Sequence, residues 1–190
     1  SPVGARGRVQ LDQERQQVAR AQRGDAEAFR WLVGKHQGRS FGLALRILRS
    51  AADAEDVVQE ALVRAWQALP GFRGEAGFST WLYRIVARQS FDRLEQLKRR
   101  RVREIDLDAI ESLPASKSTD SEAAWRSRRI EALVARLSPQ QRAVVTLYYF
   151  EDRSVEQVAA TLSLPENTVK THLSRARAAL RESWMQGEES

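Results

Sequence analysis

Apolar residues along the chain recur at helical spacing, and the pattern predicts an all-α protein. The clearest segment is residues 53–69, DAEDVVQEALVRAWQAL. Wound as a helix, it places its apolar side chains on one stripe, at Val58, Leu62, Ala65, Trp66 and Leu69. Asp53 suits the N-cap of this helix, and Pro70 with Gly71 ends it.

The same periodicity extends over residues 11–103 and predicts one helical domain there. Residues 1–10 are expected to be a loose, disordered tail, with the first helix starting near Leu11. Asp25 is the expected cap of the next helix. Gly34 and Gly38 weaken the end of that helix, so a separate helix is expected to follow them.

Composition changes abruptly after residue 103. Residues 104–124 begin acidic and become serine-rich, with no sustained helical period, and they are predicted to form a flexible linker. The acidic side chains of this linker could imitate a nucleic-acid backbone and lie in a basic channel. A linker that only keeps the chain soluble fits the composition equally well.

A second helical domain is predicted over residues 125–186. Ser138 and Ser154 are suited to cap its second and third helices, and Pro165 starts the last one. The last helix places an apolar stripe inward, at Val169, Leu173, Ala176 and Leu180. A short helix, a tight turn and a basic second helix are typical of a helix-turn-helix, although helix pairs in ordinary bundles can imitate it.

The outer face of that last helix carries the side chains expected to contact DNA. Four of them suit base edges in the major groove: Lys170, Thr171, Ser174 and Arg175. Arg177 would lie nearer the phosphates. The net charge of +6 also favours polyanionic partners, nucleic acid before acidic proteins or membranes.

A second nucleic-acid surface is predicted at the glycine-rich loop after Pro70 and on the helix that follows. Aromatic residues lie here among arginines, a combination suited to stacking unpaired bases beside phosphates. Phe72 and Arg73 are the better ligand candidates because glycines flank them. Phe78 is expected to be a core residue at the start of the helix, and Trp81 could be a second one. Ser79 or Thr80 would be the cap of this helix.

The acidic start of the helix at 53–69 has two interpretations, a solvated surface or a docking face for a basic partner. Asp53, Asp56 and Glu60 could in principle hold a divalent ion, but no second carboxylate cluster or general base accompanies them. No metal, cofactor or enzymatic activity is therefore expected. No apolar run reaches transmembrane length and no signal-peptide pattern is present, so a cytoplasmic protein without membrane insertion is expected.

Four motifs in this order resemble the bacterial sigma factors of the extracytoplasmic-function (ECF) group. The first is RGDAEAF at residues 23–29, and the second is DAEDVVQEALVRAW at 53–66 together with FSTWLYRIV at 78–86. The third is LSPQQRAVVTLYYFEDRSVEQVA at 137–159, and the fourth is NTVKTHLSRARAAL at 167–180. The resemblance implies a promoter-specificity subunit of RNA polymerase. The first domain is similar to sigma region 2, and the second to region 4 with its helix-turn-helix.

The resemblance also implies a role for each candidate residue. Four would bind core RNA polymerase: Asp53, Asp56, Gln59 and Glu60. Eight would contact the −10 element of promoter DNA: Phe72, Arg73, Trp81, Arg84, Arg88, Lys98, Arg99 and Arg100. The −35 element would be read by Lys170, Thr171, Ser174, Arg175 and Arg177. An anti-sigma factor is expected to cover these surfaces.

The chain departs from the family pattern at four positions. Arg88 stands where asparagine is usual, and Ser163, Asn167 and Asp152 stand where glycine is frequent. Serine tolerates a left-handed backbone less well than asparagine does.

The alternative function is a stand-alone helix-turn-helix regulator that binds an operator without polymerase, although no dimerisation helix is evident.

Overall fold

The computed structural model describes residues 2–103 and 122–186, and within these ranges every regular element is helical. The first unit contains α1 (Pro2–Gln22), α2 (Ala26–Leu48), α3 (Ala51–Ala68), a 3₁₀ turn (Leu69–Gly71) and α4 (Phe78–Arg103). The second unit contains α5 (Glu122–Val134), α6 (Pro139–Val145), a π-helical turn (Thr146–Phe150), α7 (Val155–Leu162) and α8 (Glu166–Gln186). The prediction of an all-α fold is confirmed.

The first helix starts earlier than its apolar pattern predicts. It begins at Pro2, so residues 2–10 are helical instead of forming a loose tail. Proline is well tolerated in a first helical turn, and each glycine in this stretch costs only about 1 kcal/mol of helix propensity. Of the predicted linker, residues 104–121 lie outside the described residues, and Glu122 already belongs to α5.

Helix α2 is continuous, although two separate helices were expected here. It passes through Gly34 and Gly38, where a Cβ atom would meet no neighbour within 4 Å. Its buried face includes Leu32, Leu43 and Ile47, before and after both glycines. The burial of this long face outweighs the weak helix propensity of glycine.

Local capping follows the sequence signals at three of the helix starts. The Asp25 carboxylate accepts hydrogen bonds from the backbone N–H groups of α2's first turn. Ser138 and Ser154 each form a capping box, with Gln141 and Gln157 as partners. These caps confirm the predicted starts of α2, α6 and α7.

Two other helix starts differ from the prediction. Ser50, and not Asp53, caps α3, and its hydroxyl accepts a hydrogen bond from the Asp53 backbone N–H at 3.3 Å. Helix α4 begins at Phe78, ahead of both Ser79 and Thr80. Each shift leaves the polar side chain of the expected cap free for other contacts.

The two units pack directly on one another. Helix α7 lies against α4, and α6 lies against α2. One hydrophobic core runs through both units, and it joins Leu82 and Val86 of α4 to Val158 and Leu147 of the second unit. Among residues 2–103 and 122–186, no helix combines the length and apolar character needed to cross a bilayer.

Candidate docking and nucleic-acid surfaces

The predicted docking residues share one side of α3, which is called the acidic face below. Asp56, Gln59 and Glu60 are exposed, and Asp53 is half-buried. Ala54, Val57 and Ala61, among others, bury the opposite side of the helix against α2 and α4. The helix therefore presents its carboxylates outward from a fixed apolar base.

Arg93 of α4 binds three of these carboxylates at once. Its Nη1 lies 3.0 Å from Asp53 Oδ1 and 3.9 Å from Asp56 Oδ2, and its Nη2 lies 3.2 Å from Glu60 Oε1. The guanidinium occupies the place a divalent ion would need, and no metal-holding group of His, Cys, Asp or Glu occurs in the described ranges. The sequence pattern gave no sign of these ion pairs, because Arg93 is 40 residues from Asp53 along the chain.

The loop between the 3₁₀ turn and α4 is built on an aromatic cluster. The Phe72 ring lies 4.9 Å from the Trp81 ring and 6.3 Å from that of Phe78, measured between centroids. Gln22 of α1 donates to the Phe72 carbonyl oxygen at 2.7 Å. Phe72 is therefore half-buried. The expectation that Phe78 is a core residue is confirmed.

A cavity of about 550 Å³ lies between this loop and α1. Arg73 is exposed at its edge, and Glu14 lines its wall. The contact with His36, with Lys35 nearby, lowers the pKa of Glu14 to about 2 against the opposing effect of burial. The sequence pattern did not mark Glu14 or Gln22, because both act through contacts with distant residues.

The middle of α4 faces the second unit. Arg84 Nε donates to the Ala160 carbonyl oxygen of α7 at 3.0 Å. Arg88 lines a cavity of about 360 Å³ between α4 and the end of α7, beside Ser163. The remaining candidate residues at the end of α4 are exposed: Lys98, Arg99 and Arg100.

Helix α8 presents the expected recognition face to solvent. Lys170, Ser174 and Arg175 are exposed, as is Thr171, whose hydroxyl donates to a carbonyl of its own helix. Arg177 is held to one side, because its Nε donates to Tyr149 Oη at 2.6 Å. That hydrogen bond raises the pKa of Arg177.

The turn between α7 and α8 contains a left-handed serine. Ser163 has φ 55° and ψ 43° and closes α7, with its backbone N–H bonded to the Ala159 carbonyl oxygen. Asp152, ahead of α7, also has a positive φ, of 52°. Asn167 lies inside α8 and needs no such conformation. Two of the three positions where glycine is frequent in the resembled family thus have the backbone that favours glycine.

Known families and relatives match the chain over both units. The family described as Sigma-70 region 2 matches residues 32–100, and the family described as Sigma-70, region 4 matches residues 127–180. The RNA polymerase sigma-H factor of Pseudomonas aeruginosa is 38% identical over 178 residues, 89% of this chain and 92% of the relative. The ECF RNA polymerase sigma-E factor of Escherichia coli K12 is 35% identical over 173 residues, 86% and 90% of the two chains.

Solved structures show the same fold. CnrH, solved in complex with the cytosolic domain of CnrY, aligns with a TM-score of 0.66 at 26% identity, covering 94% of this chain and 99% of CnrH. The sigma factor RpoE of Bartonella quintana, solved with the anti-sigma factor NepR, aligns with a TM-score of 0.68 at 21% identity, covering 83% and 96%. Together these matches show that the chain belongs to the ECF group of the sigma-70 family and is a promoter-recognition subunit of RNA polymerase.

Proposed function

We propose that this sigma factor binds core RNA polymerase through the acidic face of α3 and reads the promoter through two further surfaces. The loop after the 3₁₀ turn and helix α4 would contact the −10 element, and α8 would contact the −35 element. In this scheme the chain positions DNA and carries no catalytic residue or cofactor of its own. Its cytoplasmic location stays a prediction.

The arrangement around Arg93 is the observation that carries the docking assignment. Arg93 hydrogen-bonds Asp53 and Glu60 and lies 3.9 Å from Asp56, while the side chains of Asp56 and Glu60 remain 64% and 57% exposed. Fixed, accessible carboxylates lose little conformational entropy when a basic helix binds them. They would also speed encounter with a basic partner surface.

The first unit supports contact with unpaired DNA. Phe72 and Trp81 form a partly exposed aromatic surface beside Arg73 and the cavity against α1. An unstacked base could lie against such rings while arginine neutralises its phosphate. The basic end of α4, at Lys98, Arg99 and Arg100, would continue the contact along the adjacent backbone.

The second unit supports contact with duplex DNA. The four side chains Lys170, Thr171, Ser174 and Arg175 lie on one face of α8, and all four are exposed. Lysine, arginine and hydroxyl side chains can hydrogen-bond to base edges in the major groove. Arg177, held beside Tyr149, would contact phosphate.

An anti-sigma factor is proposed as the inhibitory partner. The Bartonella RpoE was solved with an anti-sigma factor, and CnrH, whose match covers nearly the whole chain, was solved with the cytosolic domain of CnrY. Membership of the sigma family does not favour the alternative of a stand-alone regulator. That alternative also leaves the acidic face without a partner.

Reversing two charges on the acidic face tests the proposal. The double variant Asp56→Arg with Glu60→Arg should lower affinity for core RNA polymerase at least about 100-fold, because like charges would meet across the interface. The control is Glu27→Arg with Glu156→Arg, which makes the same charge change at exposed positions on α2 and α7. Binding is measured by fluorescence anisotropy, and thermal melting verifies that both variants fold. Equal affinities of the two variants would refute the docking assignment.

A further inference from the structure

The middle of α8 is attached to the π-helical turn that follows α6. Arg177 Nε donates to Tyr149 Oη at 2.6 Å. The Arg177 guanidinium also lies 5.8 Å from the centroid of the Tyr149 ring and 6.0 Å from that of Tyr148. Arg177 and Tyr149 are both exposed, although they are 28 residues apart in the sequence. The pair is therefore a surface contact between two elements of the second unit.

Tyr149 lies at the outer end of the π-helical turn. The first two residues of that turn, Thr146 and Leu147, are buried. The Glu151 backbone N–H donates to the Thr146 carbonyl oxygen, five residues back, and this bond closes the wide turn. Tyr149 and Phe150 follow on the surface, 51% and 39% exposed. Single π-helical turns are frequent at functional sites, and exposed tyrosines are frequent at interfaces.

Arg177 lies at the edge of the face of α8 that is proposed to meet DNA. Lys170, Ser174 and Arg177 follow one another at i, i+4 and i+7, so they share one stripe of the helix. The first turns of a recognition helix contact base edges in the major groove. A residue two turns further along therefore lies near the border of the groove, where the phosphates are. Tyr149 is beside that position.

The hydrogen bond between the two side chains leaves donors on both of them. It uses the Nε–H of Arg177, and the two Nη atoms of an arginine carry four more N–H donors. A tyrosine hydroxyl accepts and donates, so Tyr149 keeps its own proton for a further acceptor. A phosphate has several acceptor oxygens and binds charged and neutral donors together. The pair therefore has the donor set that a backbone phosphate requires.

The pair affects the orientation of Arg177 more than the stability of the fold. Exposed hydrogen bonds and exposed cation–π contacts contribute little net free energy to folding, because water competes for the same groups. Arginine has one of the largest rotamer freedoms of any side chain, and a free arginine loses it on binding DNA. Arg177 is already held by Tyr149 in the free chain. It therefore loses less freedom when a phosphate binds.

We propose that Tyr149 is a DNA-contacting residue of the −35 surface and acts as a unit with Arg177, so that the Tyr149 hydroxyl and the Arg177 guanidinium donate to one backbone phosphate. The inference rests on the proposed contact of α8 with the −35 element. It adds to that surface a residue from outside the helix-turn-helix. A phosphate is common to all sequences, so the contact sets the position of α8 on the duplex and does not select bases.

Binding of duplex DNA by the holoenzyme, the chain bound to core RNA polymerase, tests the inference. The probe is a fluorescently labelled promoter duplex that ends upstream of the −10 element, taken from a fragment chosen by transcription with core polymerase. Tyr149→Phe keeps the ring and removes the hydroxyl. It should lower the affinity about fivefold, because a donor and the fixed orientation of Arg177 are lost together. Thermal melting verifies that the variant folds, and full affinity would overturn the inference.

Two changes at Arg177 separate charge from geometry. Arg177→Gln removes the charge and should reduce the slope of log affinity against log salt concentration by about 1. Arg177→Lys keeps the charge without the planar group, so it should keep the slope and lower the affinity about fivefold. The matched control for the lost charge is Arg136→Gln, at an exposed position in the turn before α6. It should change the affinity less than about twofold, because salt screens a charge that contacts no phosphate.

A double variant tests whether Tyr149 and Arg177 act as a unit. Adding Tyr149→Phe to Arg177→Lys should lower the affinity by less than about a further twofold, because the shared geometry is already lost. A purely structural role of Tyr149 would not produce this dependence on the residue at position 177. Two full and additive losses would mean separate contacts, which would overturn the inference.

These measurements separate the inference from the proposed function. Failure of the wild-type holoenzyme to bind the duplex would contradict the proposed −35 contact of α8, and the inference would fall with it. An unchanged salt slope in Arg177→Gln would contradict the phosphate contact of Arg177, with the same consequence. A reduced slope in Arg177→Gln together with full affinity in Tyr149→Phe would contradict the inference alone, and the pair would then be a contact within the folded unit only.

Discussion

Helices α4 and α8 carry the two proposed DNA surfaces, and their arginines have different surroundings. Arg175 on α8 is exposed, on the face proposed to read the −35 element. Arg84 on α4 donates to a backbone carbonyl of α7, and Arg93 on the same helix binds the carboxylates of α3. The basic surface of α4 is therefore partly used to hold the protein together.

The difference shows why net charge overstates the number of DNA contacts. Arginine offers five donors in a rigid planar group, which suits carbonyl oxygens at helix ends as well as phosphates. In this protein Arg142 satisfies such carbonyls from a buried position. A basic sequence thus gives an upper bound on nucleic-acid contacts, and the structure divides the arginines between stabilising and recognition roles.

The largest effect is expected in the free energy of unfolding, when the variant Arg142→Ala is compared with Arg175→Ala. Removing Arg142 leaves the carbonyls of α2 unpaired and should lower the free energy of unfolding by about 3 kcal/mol. Removing the exposed Arg175 should change it by less than about 0.5 kcal/mol. Urea denaturation of both variants, followed by circular dichroism, measures the difference.

Replacing the exposed residue, Arg175, should instead affect DNA binding. Arg175→Ala should weaken −35 recognition about tenfold on promoter fragments chosen by transcription with core polymerase. The loss should be larger for those fragments than for unrelated DNA. An equal loss on every sequence would make Arg175 a phosphate contact, and a large loss of stability would end its contrast with Arg142.

Signals within a few residues of one another allowed much of this fold to be predicted. The caps at Asp25, Ser138 and Ser154 act on backbone groups of their own helices, so the sequence pattern contains both partners. The inward positions of α8 repeat at helical spacing, and Val169 and Leu173 are buried as expected. The proposed docking residues were chosen from a resemblance to known motifs, and their role stays a prediction.

Such patterns could not predict contacts between residues that are distant in the sequence. Arg93 is 40 residues from Asp53, and the donor and acceptor of the Arg142–Ile47 bond are 95 residues apart. Periodicity shows that an arginine lies outside the apolar stripe of its helix, but not which residue it contacts. The continuity of α2 through Gly34 was not predicted for the same reason, since the stability of α2 comes from the helices that pack on it.

A smaller effect on stability is expected at alkaline pH, from Tyr83 on the side of α4 that the second unit covers. Burial, with Glu151 nearby, raises the pKa of Tyr83 to about 12, against the opposing effect of Arg153 and Arg39. Between pH 10 and 12 the unfolded chain loses this proton while the folded chain keeps it, so stability falls as pH rises. The loss attributable to Tyr83 should reach about 1.4 kcal/mol at pH 11 relative to pH 8.

Tyr83→Phe is the control, because phenylalanine has no proton to lose. The variant should lack this part of the alkaline slope, so its stability relative to wild type should improve between pH 8 and pH 11. Urea denaturation at both pH values gives the comparison. Parallel slopes for the two proteins would show that the hydroxyl is hydrated, and hence that the α4 side is less tightly covered than the structure indicates.

The smallest effect concerns the turn that joins the covered helix α7 to the exposed helix α8. Ser163→Gly should raise the free energy of unfolding by about 0.5–1 kcal/mol, because glycine avoids the left-handed strain of serine but gains freedom in the unfolded chain. Asp152→Gly provides a matched change at φ 52°. Its gain should be smaller, since aspartate tolerates this conformation better than serine does. Thermal melting of both variants ranks them, and a larger gain at Asp152 would mean that side-chain contacts, and not backbone strain, decide stability at these turns.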